Sequence, residues 1–260
     1  YVLACQSVPA EASTIEVPDE GETVVHPARR VREKVLGVEQ LTHDVSLVRL
    51  SNESRLGFSS GQFAEIEFER GLSRVYSMSG LPNDDELQFH VRLHPSGRAS
   101  QLIGALVPGT SLRLRGPYGA AWLRQQHAQP ILCVSAGTGL APLISVLRGI
   151  AQARLPNPVH VYTGFMSREE LYGQAALAEA LQGIPNLRSS HLVVATGKLE
   201  RGLRRGLLTE VLGQDLPHLG QWHAQVYGSP FAIEATVQLL RRLGIAEERL
   251  HADPFHLFGN

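Results

Sequence analysis

A chain of 260 residues, 43% hydrophobic and 19% charged, has an ordinary globular composition and room for about two domains of roughly 100–200 residues each. Its 24 Lys and Arg nearly balance its 25 Asp and Glu, a formal charge of −1, which excludes nucleic acid as the main ligand because that needs a basic footprint. No apolar run approaches the ~20 residues of a membrane helix, and Cys5 and Cys133 lie too far apart to read as a disulfide framework, so no membrane partner and a reducing, cytoplasmic setting are expected.

Residues 1–26 are rich in Pro, Glu and Ser and read as a tail or linker. Tyr1-Val2-Leu3-Ala4 carries no basic n-region, so the start reads as the interior of a longer chain and not as a signal peptide. Over 27–125, short segments with period-two alternation (Val45–Leu50, Phe63–Phe68, Leu87–Leu93, Ser111–Arg115) are cut by turn signals. That pattern predicts a small antiparallel barrel, interrupted by a helix over Ala99–Leu106. After Pro130 the rhythm changes. Apolar runs at Ile131–Ser135, Val159–Thr163, His191–Ala195 and Ala224–Tyr227 alternate with helical patterns at Leu140–Ala153, Glu169–Leu181, Leu207–Leu212 and Phe231–Leu243. Such alternation predicts a doubly wound parallel sheet over 126–260, with the boundary near Arg124–Gln129.

Two motifs carry chemistry. On a strand, Arg74 and Tyr76 share one face, and Val75 and Ser77 the other. A guanidinium clamps phosphate, an aromatic plane stacks on a flat ring, and a hydroxyl reaches a ring nitrogen, so the segment reads as a flavin site or as a solvent-facing Arg–Tyr pair. Gly137-Thr138-Gly139 follows an apolar strand and precedes a helix, the layout in which backbone approaches phosphate oxygens, and Pro142 suits the first helical turn. Tyr227-Gly228-Ser229-Pro230 repeats that design after a later strand; two such ends on one parallel sheet would face a single crevice. Between these motifs, Ser96 or Ser100 is placed to cap the helix after His94-Pro95-Ser96-Gly97-Arg98-Ala99-Ser100, where free N–H groups favour a pyrophosphate. Phe255, near the end, packs over a cofactor or closes the core. The 11 histidines show no metal-ligand spacing, and Cys133 reads as an inert core thiol.

In these motifs, and in their order, residues 27–260 resemble the ferredoxin–NADP reductase superfamily. The resemblance implies a six-stranded-type flavin-binding barrel followed by a nicotinamide-nucleotide domain. Arg74 would hold the phosphate of FAD, Tyr76 would flank its ring, and Ser77 would reach the N5 edge. Val75 lies in the same strand motif; Val91, Arg92 and Leu93 would line the ribityl side, and Gly97, Ala99 and Ser100 would meet the pyrophosphate. Gly137, Thr138, Gly139, Pro142, Gly228, Ser229 and Pro230 would hold NAD(P)H, with Phe255 packed nearby. Tyr76, Ser77 and Tyr227 would flank the reacting atoms.

Tyr1–Pro9 is similar to the end of a plant-type [2Fe–2S] ferredoxin domain, with Cys5 as its last cluster ligand, although one cysteine cannot hold a cluster. The implied function is an NADH-dependent flavoprotein reductase that feeds a ferredoxin or a Rieske-type oxygenase component. Two departures stand out. Tyr227 occupies a position where relatives often have Cys, and a bulky side chain there would alter the nicotinamide's approach. Met166 stands where relatives often have Arg, and Glu169 and Glu170 would oppose a 2′-phosphate, so NADH is expected over NADPH. The Tyr227 departure keeps a second reading open: an FAD-binding electron-transfer subunit or redox sensor that NAD(P)H does not reduce efficiently.

Overall fold

The computed structural model describes residues 22, 24–197 and 201–255, and two six-stranded sheets divide them. The first comprises β1 (Arg29–Gln40), β2 (Val45–Ser51), β3 (Phe63–Glu69), β4 (Leu72–Ser77), β5 (Glu86–Arg92) and β6 (Ser111–Tyr118). Its order is β4-β3-β6-β1-β2-β5 and every pairing is antiparallel. The sheet curls until its edges meet, where Met78 bridges Phe89 and Ser79 N–H donates to Gln88 O at 2.9 Å. Inward residues at alternate positions (Val31, Val35, Val48, Leu50, Ile66, Phe89, Leu114) fill the half-barrel, the expected result of period-two patterning on a one-sided sheet. The short helix α1 (Arg98–Gly104) plugs one end through Ile103.

The alternation in β1 is hidden in the sequence by Glu33, whose carboxylate is buried between Val31 and Val35. It accepts hydrogen bonds from Ser51 Oγ (2.5 Å) and from the backbone N–H of Glu53 (3.1 Å) and Ser54 (3.0 Å), so it fixes the turn after β2. Glu33→Ala leaves three donors, the Ser51 hydroxyl buried among them, without their acceptor and is expected to cost about 2–4 kcal/mol of unfolding free energy in denaturant titration. Glu33→Gln, which keeps an acceptor, should cost less; equal stability of all three proteins would contradict this role.

The second sheet is parallel throughout: β7 (Ile131–Ala136), β8 (Val159–Phe165), β9 (Leu187–Val194), β10 (Leu203–Arg205), β11 (His223–Gly228) and β12 (Leu250–Pro254), in the order β10-β9-β8-β7-β11-β12. Helices α2 (Leu140–Gln152) and α3 (Gln174–Gln182) cover one face, packing on Cys133, Val161 and Tyr227. Helices α4 (Leu208–Asp215) and α5 (Pro230–Arg242) cover the other, packing on Leu132, Val134 and Val226. The direction of winding reverses between β7 and β11, and that switch point opens a crevice at the carboxyl ends of the strands.

The single helix expected over Glu169–Leu181 is divided. A turn of 3₁₀ helix at Arg168–Glu170 is followed by extended Leu171 and by Gly173 at φ +66°, which only then opens α3. Side chains also cross between the sheets: Arg148 on α2 grips Asp84 with two bonds of 2.6 and 2.9 Å, and Ser145 Oγ donates to Gly80 O at 2.6 Å. No described helix is long and apolar enough to cross a membrane.

Candidate active site where the two sheets meet

β7 runs into Gly137 at φ +56°, then Thr138 and Gly139, before α2 begins. A methyl group on Gly139 would collide with the carbonyl oxygen of Tyr227 and lie 2.9 Å from Gly228 N, so only glycine lets the turn settle against β11. Gly228, at φ +149°, answers from the other side: a methyl there would lie 2.7 Å from Ala136 O. Pro142 is buried in the first turn of α2, and Pro230 is the first residue of α5, just after exposed Ser229. Phe255 N–H donates to Gly228 O at 2.8 Å, and its ring packs against the α2 side of the core. The two glycine ends and Phe255 therefore line one edge, where the backbones of the two turns pack too closely for a Cβ between them.

On the half-barrel, β4 places Arg74 opposite Ile66 and Tyr76 opposite Ala64. Arg74 Nη1 donates to the neighbouring Ser73 O at 2.8 Å, and Arg74 forms no ion pair with a carboxylate among the described residues. Tyr76 stands edge-on to Phe68 (6.2 Å between centroids, 78°), and burial pushes its hydroxyl up to about 12, so it stays protonated. Val75 shares the opposite face with Ser77. Ser77 is buried, and its hydroxyl lies in the neighbourhood of Asp253 on β12. Burial raises the Asp253 carboxyl to about 6, against the opposing pull of that hydroxyl. These neighbours bring the end of β4 near the crevice.

The end of β5 differs from expectation in two residues. The Val91 side chain is part of the half-barrel core, so it offers a ligand only its backbone. Arg92 leans toward the second sheet. It pairs with Asp44 at 2.5 Å and with Glu170 at 3.5 Å, and its guanidinium would be 3.5 Å from a methyl on Gly137. Leu93 is half-buried against the half-barrel core, with its N–H bonded to Asp44 O at 2.6 Å. The turn before α1 is capped by neither serine: Gly97 is the N-cap with no side-chain bond, while Ser100 Oγ accepts from His94 N–H at 2.8 Å and closes the loop. Gly97 sits tightly in that loop, and Ala99 is buried beneath it.

Tyr227 requires a correction. Its side chain is 0% exposed and is directed away from the crevice, under the linker between the sheets, where its hydroxyl lies 2.8 Å from both Ala121 O and Gln225 Oε1. It therefore presents its backbone, and not its ring, to the nucleotide turn. Asp253 and Asp44 are candidate site residues that the sequence reading passed over, and Glu170, read there only as opposing a 2′-phosphate, also pairs with Arg92. Asp253 carried a signal, since an acid beside Pro254 and Phe255 at the end of an apolar segment sits where a last strand would reach the crevice. Cys5 lies outside the described residues, and among the described residues no group of His, Cys, Asp and Glu is arranged to hold a metal.

A curled antiparallel sheet with a phosphate-ready cation, joined to a parallel sheet with a glycine cradle at its switch point, defines an oxidoreductase of the FAD- and NAD-binding class. Family models described as "Oxidoreductase FAD-binding domain" and "Oxidoreductase NAD-binding domain" match residues 33–122 and 133–238. The chain is 43% identical over 260 residues to the ferredoxin–NAD(P)+ reductase component of the naphthalene 1,2-dioxygenase/salicylate 5-hydroxylase systems of a Ralstonia species, covering 100% of this chain and 79% of that protein. It is 42% identical over 257 residues to the naphthalene 1,2-dioxygenase reductase component of Pseudomonas putida, covering 98% and 78%. Among solved structures, an Amycolatopsis cytochrome P450 reductase superposes with a TM-score of 0.81 at 28% identity, covering 90% of this chain and 72% of that one. The ferredoxin reductase of a carbazole 1,9a-dioxygenase system gives 0.80 at 26%, covering 93% and 74%. The chain belongs to the ferredoxin–NADP reductase family.

Proposed function

We propose that the protein takes electrons from NADH into FAD and delivers them to a [2Fe–2S] ferredoxin centre that serves an oxygenase of the dioxygenase or monooxygenase kind. The observation that carries this reading is Arg92 at the end of β5, whose guanidinium pairs with Glu170 at 3.5 Å and would lie 3.5 Å from a methyl on Gly137, so that the half-barrel meets the glycine crevice. FAD, when bound, supplies the step from a two-electron hydride donor to a one-electron acceptor. The chain supplies position.

Arg74, with no carboxylate partner among the described residues, holds the flavin's phosphate, and Tyr76 and Ser77 flank its ring. The backbone of Val91–Leu93 lines the ribityl side, and Gly97, Ala99 and Ser100 meet the pyrophosphate. Gly137, Thr138, Gly139, Gly228, Ser229 and Pro230 hold NADH beneath Phe255, with Pro142 starting the helix behind it. Arg92 is placed to exchange its longer contact with Glu170 for the dinucleotide's phosphates across the junction. Glu169 and Glu170 follow β8, the second strand of the parallel sheet, where acidic side chains favour a ribose hydroxyl over a 2′-phosphate and so favour NADH. The buried free thiol of Cys133 suits a reducing, cytoplasmic setting. The alternative of a subunit that NAD(P)H cannot reduce rested on a bulky Tyr227 in the nicotinamide's path, and that side chain points elsewhere.

Asp253 gives a pH prediction. Its ionised form would draw the nearby Ser77 hydroxyl toward it and orient it, whereas its protonated form would not. Flavin reduction by NADH should therefore accelerate as pH rises through about 6, where the carboxyl titrates. The inflection should vanish in Asp253→Asn, and an unchanged inflection in that variant would assign it elsewhere. The acceptor is tested by mixing FAD-loaded protein, NADH and a purified plant-type [2Fe–2S] ferredoxin without oxygen. The ferredoxin's visible absorbance should fall only when all three are present. A ferredoxin that stays oxidised while ferricyanide is reduced would refute the acceptor assignment.

A further inference from the structure

Tyr227 engages the two halves of the molecule at once. Its backbone pairs with Ser135 and Asp253 in the parallel sheet, and its carbonyl oxygen lies against Gly139 too closely for any side chain there. Its side chain runs the other way. The single hydroxyl proton is shared between Ala121 O in the linker and Gln225 Oε1, each at 2.8 Å, while Gln225 Nε2 donates to Trp122 O at 3.2 Å. Gly61, in the loop before β3, comes so near that a methyl on it would lie 2.5 Å from the Tyr227 hydroxyl. The same loop is stitched to the same linker by Leu123 N–H donating to Ser60 O at 2.9 Å. The ring belongs to one buried apolar cluster with Val45 of the half-barrel, Ala121 and Leu123 of the linker, and residues of α2.

We infer that Tyr227 is a positioning residue for hydride transfer: its backbone sets the nucleotide turn, and its hydroxyl sets how far that turn stands from the flavin-side sheet. The inference rests on the NADH-to-FAD reading above. Phenylalanine would fill nearly the same volume, so packing alone does not explain the hydroxyl. The hydroxyl adds direction, because a linker carbonyl and a β11 side chain converge on one proton. Without it, buried Ala121 O and Gln225 Oε1 lose their donor, and the linker is held by fewer bonds. A small displacement there is felt at the reacting atoms, since a misplacement of about 1 Å can cost on the order of 100-fold in rate.

The test uses the full chain loaded with FAD, as wild type, Tyr227→Phe and Tyr227→Ala. Anaerobic rapid mixing with a series of NADH concentrations gives the limiting rate of flavin bleaching and the half-saturating NADH. Hydrogen exchange without NADH follows the amides of residues 119–126. Tyr227→Phe should lower the limiting rate roughly three- to tenfold, leave half-saturation within about twofold, and speed linker exchange about tenfold, on the scale of one lost buried hydrogen bond. Tyr227→Ala should move both further, and if it does not fold, Tyr227→Phe decides. An unchanged limiting rate or unchanged linker exchange in Tyr227→Phe overturns the inference. So does a large shift in half-saturation with the limiting rate intact, which would make Tyr227 a nucleotide contact. A wild-type protein that NADH does not bleach removes the reductase reading and this inference with it, whereas wild-type bleaching with unaltered variants removes the inference alone.

Discussion

Arg74→Ala is expected to leave the purified protein colourless. Arg74 spends one donor on the neighbouring Ser73 carbonyl and pairs with no carboxylate among the described residues, so its charge is available to a ligand and is not used to hold the fold. Charge-assisted bonds to a phosphate contribute about 1.5–3 kcal/mol, which translates to a roughly tenfold to hundredfold loss of FAD affinity. The flavin-free forms of wild type and variant should unfold within about 0.5 kcal/mol of each other, as for a surface substitution that removes no structural contact. Arg74→Lys should recover only part of the affinity, because an ammonium cannot reproduce the two-pronged clamp. Equilibrium titration of flavin-free protein with FAD measures all three. Equal affinity in Arg74→Ala would remove this residue from the flavin site.

Gly139→Ala is expected to separate the two nucleotide sites. The backbone at Gly139 is helical (φ −58°), so alanine meets no conformational penalty there. The obstacle is contact: the new methyl collides with the Tyr227 carbonyl and crowds Gly228 N, both backbone atoms fixed in a paired strand. The turn must move off β11, and with it the cradle for the dinucleotide. Overpacking of this kind costs about 1–3 kcal/mol, and the larger consequence should be a fall of at least about tenfold in kcat/KM for NADH with flavin content unchanged. Gly213→Ala is the control. It lies within α4, where the added methyl meets only Leu239 at 3.6 Å, and should leave activity intact while slightly stabilising the helix. Loss of flavin in Gly139→Ala, or full activity with NADH, would break the assignment of this turn.

The architecture was legible because two periodicities follow one another without mixing. Segments such as Phe63–Phe68 alternate on a one-sided sheet, whereas Ile131–Ser135 is continuously apolar because both its faces are covered. What remained hidden had local causes. Buried Glu33 interrupts the apolar pattern of β1, and it is satisfied only by groups brought together by the turn after β2. Gly173 divides a helical pattern through a backbone angle that hydrophobic spacing does not report. β10 has three residues, too few for any period to show. At the site, the glycine motifs announced themselves because close backbone approach demands glycine. Tyr227 showed the limit of that reasoning: its position in the motif is plain, but whether its ring faced the crevice or the linker depended on Gly61 and Ala121, far away in the chain. The reach of Arg92 toward Gly137 is hidden for the same reason, since Asp44 and Glu170, which hold it, come from turns beside different sheets.

NADH electrons are proposed to enter the chain through bound FAD. The most direct test is an anaerobic titration of the FAD-loaded protein with NADH, followed in the visible flavin bands, with NADPH run in parallel. The bands should bleach as NADH approaches one equivalent, and NADPH should need a large excess. Flavin bands that persist under excess of both nucleotides would contradict it.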